Sequence, residues 1–120
     1  MGITLFRDEE FRRWFAAWLG EFDWDEGNRR KPLKHGLDCT GVERLFDSFF
    51  VYAGCLAPPP DQNWAEPRHL VFLRDDVTAL HWTAVVTPRG ESLRVITCRR
   101  SRPMEEAIHE EACRREKDQG

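Results

Sequence analysis

Apolar side chains in residues 8–19, DEEFRRWFAAWL, recur at a spacing that a helix gathers onto one face. Phe11, Trp14, Phe15 and Trp18 stand at i, i+3, i+4 and i+7. Asp8 is placed to cap this helix, and Glu9 and Glu10 suit a first turn whose free N–H groups and dipole favour negative charge. Gly20 ends it. So broad an aromatic face must be buried, and two recipients are open: the domain's own sheet, or a partner protein or second copy that Phe11, Trp14, Phe15 and Trp18 would bind.

The pattern then shortens. Phe22-Asp23-Trp24 alternates like a brief edge strand, and Asp25 to Lys31 reads as a helix broken or kinked at Pro32, which has no N–H to give and biases Lys31 away from helix. Lys34-His35-Gly36 forms a turn. Asp38 or Thr40 caps a further helix from Gly41 to Asp47, with Val42, Leu45 and Phe46 facing inward.

From Phe49 the period changes to that of strands. FFVYAGCL (49–56), PRHLVFL (67–73), TALHWTAVVT (78–87) and SLRVITC (92–98) are rich in β-branched and aromatic residues. They are separated by a triple-proline loop at 58–60, by Arg74-Asp75-Asp76, and by the tight turn Pro88-Arg89-Gly90-Glu91. In the last strand Leu93, Val95 and Thr97 are expected on one face, with Arg94, Ile96 and Cys98 on the other. Residues 103–117 close the chain as a helix, with Pro103 in its first turn, acids early and Arg114, Arg115 and Lys117 late. This order predicts an α+β fold in one domain, 1–120. An antiparallel sheet of about four strands packs helices on one face, and an extra N-terminal helix (1–20) precedes a core at 21–118.

Composition agrees with that class. The 120 residues are 41% hydrophobic and 32% charged, and no apolar run reaches bilayer-spanning length. The opening MGITLFRDEE lacks the basic start and apolar core of a signal peptide, so a cytoplasmic protein is expected. Cys39, Cys55, Cys98 and Cys113 are widely spaced, with no CxxC and no histidine at a zinc spacing; they read as reduced and mostly buried small hydrophobes, a disulfide or metal site being the alternative, and no metal or cofactor is expected. Net charge is -3, yet basic groups bunch locally: Arg29, Arg30, Lys31 and Lys34 stand without an acid between them, and Arg89, Arg94, Arg99, Arg100 and Arg102 face only Glu91. The local field, rather than the sum, meets a phosphate.

No glycine-rich phosphate loop, HExxH or GxSxG is present. What remains is His35, between Lys34 and Gly36 beside the basic run. Cleavage of RNA by attack of a 2′-hydroxyl on the adjacent phosphate needs a base, an acid for the leaving oxygen and positive charge around the phosphate, all without metal. For His35, a catalytic or substrate-contacting role stands against a surface or capping one. His69 and His81 read as structural, and His109 as solvent-exposed among glutamates. Arg68, Arg94 and Arg99 suit bidentate phosphate contacts or bridges to acids of the closing helix, Arg89 suits a peripheral contact, and Trp24, Trp64 and Trp82 suit base stacking or core.

The order of several short motifs resembles the BrnT family, ribonuclease toxins of bacterial type II toxin–antitoxin pairs with a RelE-like fold. They are Phe22-Asp23-Trp24-Asp25, Lys34-His35-Gly36, Phe46-Asp47, Arg68, Thr87-Pro88-Arg89-Gly90 and Leu93-Arg94-Val95-Ile96-Thr97-Cys98-Arg99-Arg100, and they cover about residues 22–112. The resemblance implies a metal-independent endoribonuclease that cleaves mRNA, on or off the ribosome, inhibits translation and is neutralised by a cognate BrnA-like antitoxin. It assigns catalysis to His35, Lys34, Arg99 and Arg68, and RNA binding to Arg89 and Arg94; Arg30 and Arg100 join as neighbouring cations. A competing reading is a non-catalytic protein-binding module or inhibitor on the same fold, using the aromatic N-terminal helix, with a homo-oligomer as one form of partnership.

Overall fold

Strand-forming residues between 50 and 100 pair into a continuous antiparallel meander: β2 (Phe50–Leu56), β3 (His69–Arg74), β4 (His81–Arg89) and β5 (Ser92–Arg100). The structure, a computed structural model, describes the backbone of residues 5–119 and the side chains of residues 5–115. A fifth strand, β1 (Leu5–Phe6), joins the β2 edge antiparallel, so the sheet has five strands in the order β1-β2-β3-β4-β5 rather than about four. This strand fits because β2 carries Gly54 at φ +139, where a Cβ would meet the Phe6 carbonyl oxygen at 3.1 Å.

Three helices accompany the sheet: α1 (Glu9–Ala16), α2 (Cys39–Leu45) and α3 (Pro103–Gln119). Alternation along the strands makes two apolar faces. On the first, Val71, Leu73, Ala84, Val86, Leu93, Val95 and Cys98 pack against Phe11 and Phe15 of α1 and Val42 and Leu45 of α2. On the second, Leu70, Phe72 and Val85 form a smaller cluster. There α3 docks, with Glu105 bonded to Thr83 and the His109 ring 6.3 Å from Phe72. The helices therefore cover both faces, not one. The reason is β3, whose LVFL run is buried on alternate sides and needs cover on each.

The aromatic face of α1 is spent inside the domain. Asp8 caps the helix, its Oδ1 accepting from the Phe11 amide at 3.0 Å, and Phe11 and Phe15 are buried in the core. Each contributes about 2–3 kcal/mol of apolar burial. Trp14 and Trp18 are half-buried and donate their indole N–H groups to the Gly90 and Glu21 carbonyls. Phe11 is thus enclosed by the core, while Phe15 keeps a small exposed edge.

Three further expectations change. Residues 26–31 form successive turns, not a helix, leading into a 3-10 helix at Pro32–His35 that closes on left-handed Gly36, φ +90. The cause is Asn28, which is buried: its Oδ1 accepts from the Asp25 amide, and its Nδ2 donates to the Asp23 and Val95 carbonyls, in competition with a helical ladder. In β5 the register slips, with Val85 opposite Thr97 but Val86 opposite Val95, so Ile96 is the extra residue of a bulge. Cys98 consequently shares the face of Leu93 and Val95. His109, expected in solvent, is buried against His81, also buried, with Nδ1 to Nδ1 at 3.2 Å. Among the described residues no helix is long and apolar enough to cross a membrane.

Candidate nucleic-acid interface

The Phe22 segment runs along the outer edge of β5, parallel to it, bridged by the Asp23 amide to the Leu93 carbonyl at 2.9 Å and the Leu93 amide to the Glu21 carbonyl at 2.8 Å. With Asn28 holding the Val95 carbonyl, this edge fixes the turns at 26–31 against β5. Arg94 leaves β5 toward the same turns. Its guanidinium is a two-pronged donor to Asp25, at 3.0 Å to each oxygen, and lies 3.5 Å from Asp23. The Arg94 hydrogen bonds, then the Gly27 amide, hold the Asp25 carboxyl below its ordinary pKa.

From the other side comes the loop between β2 and β3. Arg68 stacks its guanidinium over the Trp64 ring at 4.4 Å from the centroid, and Glu66 receives two hydrogen bonds from Arg89, at 2.8 and 2.7 Å. The Arg89 hydrogen bonds hold the Glu66 carboxyl below its ordinary value. Between loop, turns and strand lies a cleft of about 230 Å³ lined by Asn28, Lys31, Trp64, Glu66, Arg68 and Arg94, with Ile96 also contributing. Three basic side chains from distant parts of the chain meet there beside an indole face, Arg94 with its charge already paired to Asp25 and Asp23. That combination suits a phosphate with an adjoining base.

The other residues expected at a site are distributed differently. Lys34, His35 and Arg30 are exposed, and their side chains make no hydrogen bond or ion pair among the described residues. Lys34 and His35 do not line the cleft. No hydrogen bond, ion pair or ring contact joins either to Arg99. Arg100 is exposed, its guanidinium 5.6 Å from the Trp82 ring centroid.

Arg99 has a structural partner. Its Nη1 and Nη2 donate to the two oxygens of Glu105 at 2.8 and 2.9 Å, and Glu105 also accepts from the Arg102 amide at 2.8 Å and Thr83 Oγ1 at 3.0 Å. The carboxylate is 1% exposed. Burial alone would raise its pKa, but the Arg99 hydrogen bonds, the Arg102 amide, the Arg99 charge and Thr83 together outweigh burial and hold it below the ordinary value. Glu105 therefore pins the start of α3 to β4 and β5 and occupies the guanidinium that the resemblance makes catalytic.

Sequence reasoning missed Asn28, counted Lys31 only within the basic run, and offered bridges from Arg99 to acids of the closing helix without singling out Glu105. The only signal for Asn28 is a short amide residue inside a charged run, and for Glu105 its position two residues after Pro103, where a first-turn glutamate reaches back to the preceding amide.

A second, larger cleft of about 480 Å³ opens between α1 and α2. Phe15, Trp18, Phe22, Phe46 and Phe50 line it, with Arg12, Glu43 and Asp47 also contributing. No protein family, curated protein or solved structure matches the chain.

Proposed function

We propose that this chain is a BrnT-like ribonuclease toxin on a RelE-like fold, binding mRNA in the cleft between the 26–31 turns, β5 and the Trp64 loop. The observation that carries the reading is the meeting of Lys31, Arg68 and Arg94 with the Trp64 ring in one cleft. Support also comes from the way two of the resembling motifs fold together: Asp23 and Asp25 of the first engage Arg94 of the last, while Asn28 bonds to Val95.

In this reading Arg68 and Lys31 hold phosphates of the strand in the cleft and Trp64 stacks a base, while the scissile phosphate lies beyond the cleft, where the resemblance puts His35. His35 takes the proton from the 2′-hydroxyl as its oxygen bonds to phosphorus. The bond from phosphorus to the 5′-oxygen breaks, and that oxygen leaves with a proton from Lys34 or water. The products carry a 2′,3′-cyclic phosphate and a 5′-hydroxyl, and no metal is consumed or required. Arg89, Arg94 and Arg99, occupied by Glu66, Asp25 and Glu105, serve the scaffold, Arg94 as one wall of the cleft. A BrnA-like antitoxin would neutralise the activity by covering the cleft.

The test is incubation of single-stranded RNA and of translating ribosomes with the protein in EDTA. Cleavage with cyclic-phosphate ends is expected, lost in His35→Ala and weakened in Arg68→Ala. A correctly folded protein that leaves both substrates uncut, with or without magnesium, ends the reading.

The competing reading, a non-catalytic protein-binding module, has its own observation in the ring-lined cleft between α1 and α2. RNA-inert protein that self-associates, and ceases to do so in Trp18→Ala while still folded, would favour it.

A further inference from the structure

Three metal-ligating side chains that are far apart in sequence converge where β1 turns into α1. Cys55 and His69 are directly opposite each other in the β2–β3 pairing, and Phe6 of β1 lies opposite Cys55 on its other side. Two residues past that strand, Asp8 caps α1 and brings its carboxylate near both. One donor atom from each of Asp8, Cys55 and His69 lies within 4.8 Å of the other two. Around a tetrahedral zinc ion, with bonds of roughly 2.0–2.3 Å, such atoms stand about 3.5 Å apart, so side-chain rotation of about 1 Å closes the set.

We propose that Asp8, Cys55 and His69 bind one zinc-class divalent ion, with water in the fourth position. The chemistry of the donors argues for this. A carboxylate, a thiolate and a neutral imidazole are the ligand types zinc takes, and the two anions balance the ion's charge in a site where Cys55 and His69 are 3% and 1% exposed. Asp8 can cap and ligate together, because its cap uses only Oδ1 and a carboxylate has further lone pairs.

The surroundings hold the ligands in place. The Phe11 ring stacks on the His69 imidazole, centroids 3.7 Å apart and planes 9° from parallel, and the Tyr52 hydroxyl lies 3.0 Å from His69 Nδ1. That hydroxyl is a hydrogen-bonding neighbour able to orient the imidazole. The ligands come from the β1–α1 junction, β2 and β3, so the ion would tie the N-terminal segment to the sheet. None of the three lines the cleft proposed for RNA, and the inference is independent of that reading.

The test is titration of freshly reduced full-length protein with cobalt(II), with zinc in competition. One equivalent should bind and give a thiolate-to-cobalt charge-transfer band, which zinc removes. Cys55→Ala should abolish the band and Cys39→Ala should leave it intact. Asp8→Asn is the decisive variant, since asparagine caps a helix as well as aspartate does. It should keep the metal-free melting temperature while losing more affinity than the roughly 10- to 100-fold that an outer-shell partner supplies. Absence of the band in folded wild type, its persistence in Cys55→Ala, or unchanged affinity in Asp8→Asn overturns the proposal.

Discussion

Glu105→Ala is expected to destabilise the fold by about 3 kcal/mol, the lower end of the range for breaking a buried ion pair, because Arg99 is 21% exposed and keeps some access to water. The carboxylate it removes accepts four hydrogen bonds, from Arg99 twice, the Arg102 amide and Thr83. The amide at the head of α3 and the Thr83 hydroxyl then lose a partner together with the guanidinium. Against a total stability of roughly 5–15 kcal/mol the loss is large. Urea unfolding followed by tryptophan fluorescence measures it, and pH separates the two partners. In the wild type the Glu105 pKa is held below its unfolded value, so the pair stabilises above about pH 4.5 and the contribution fades as pH falls through the folded pKa. In Arg99→Ala the buried carboxyl has lost its cation, its pKa rises above the unfolded value, and stability falls as pH rises. The two proteins should therefore show opposite pH slopes around that pH. If both substitutions cost under about 1 kcal/mol while Arg99→Ala abolishes RNA cleavage, Arg99 is a substrate group and the structural assignment made for it fails.

Asn28→Ala removes three hydrogen bonds worth about 1 kcal/mol each, so a loss near 3 kcal/mol is expected by urea unfolding, with faster exchange of the Asp25 amide. An unchanged exchange rate there would show that the turns are held by something else. Burial, then the neighbouring His81 and Arg74, push His109 down to about 4 from 6.5, so the unfolded chain takes up the proton first as the medium is acidified. Stability is lost between those values and no further below, about 2 kcal/mol of it by pH ~5, and His109→Gln should flatten that limb; an identical acid limb in the variant refutes the account. Gly54→Ala places a methyl 3.1 Å from the Phe6 carbonyl at φ +139, and about 1–3 kcal/mol should be lost, with β1 protection in hydrogen exchange falling first.

Much of the fold was legible because local signals and tertiary needs coincide. The four meander strands, the Gly90 turn, the Asp8 cap and the Pro103 start of α3 all follow from short-range chemistry. What escaped depends on contacts that no window contains. The Asp25–Lys31 run has helical composition, but Asn28 finds the Val95 carbonyl 67 residues away and gives up the ladder. The β5 bulge leaves no mark in an alternating sequence until β4 sets the register. Leu5–Phe6 is too short to read as a strand without knowing that Gly54 leaves room for it.

The candidate site was legible as a list of cations and not as an arrangement. Arg68 and Arg94 do meet, with Lys31 added, whereas Arg99 is committed to a glutamate whose burial the pattern of α3 did not announce. The Asp8, Cys55 and His69 set was invisible for a related reason: strand register, and not sequence spacing, brings the thiol opposite the imidazole.

The central claim, that RNA is held in the Lys31–Arg68–Arg94 cleft, is tested most directly by the salt dependence of single-stranded RNA binding in EDTA. The logarithm of affinity should fall linearly with that of salt, and Lys31→Ala/Arg68→Ala should lower the slope by about 1.4, or 0.7 for each lost phosphate contact, with binding weakened across sequences. A double variant that binds with the wild-type slope and affinity, or a folded wild type that binds no RNA at low salt, would contradict it.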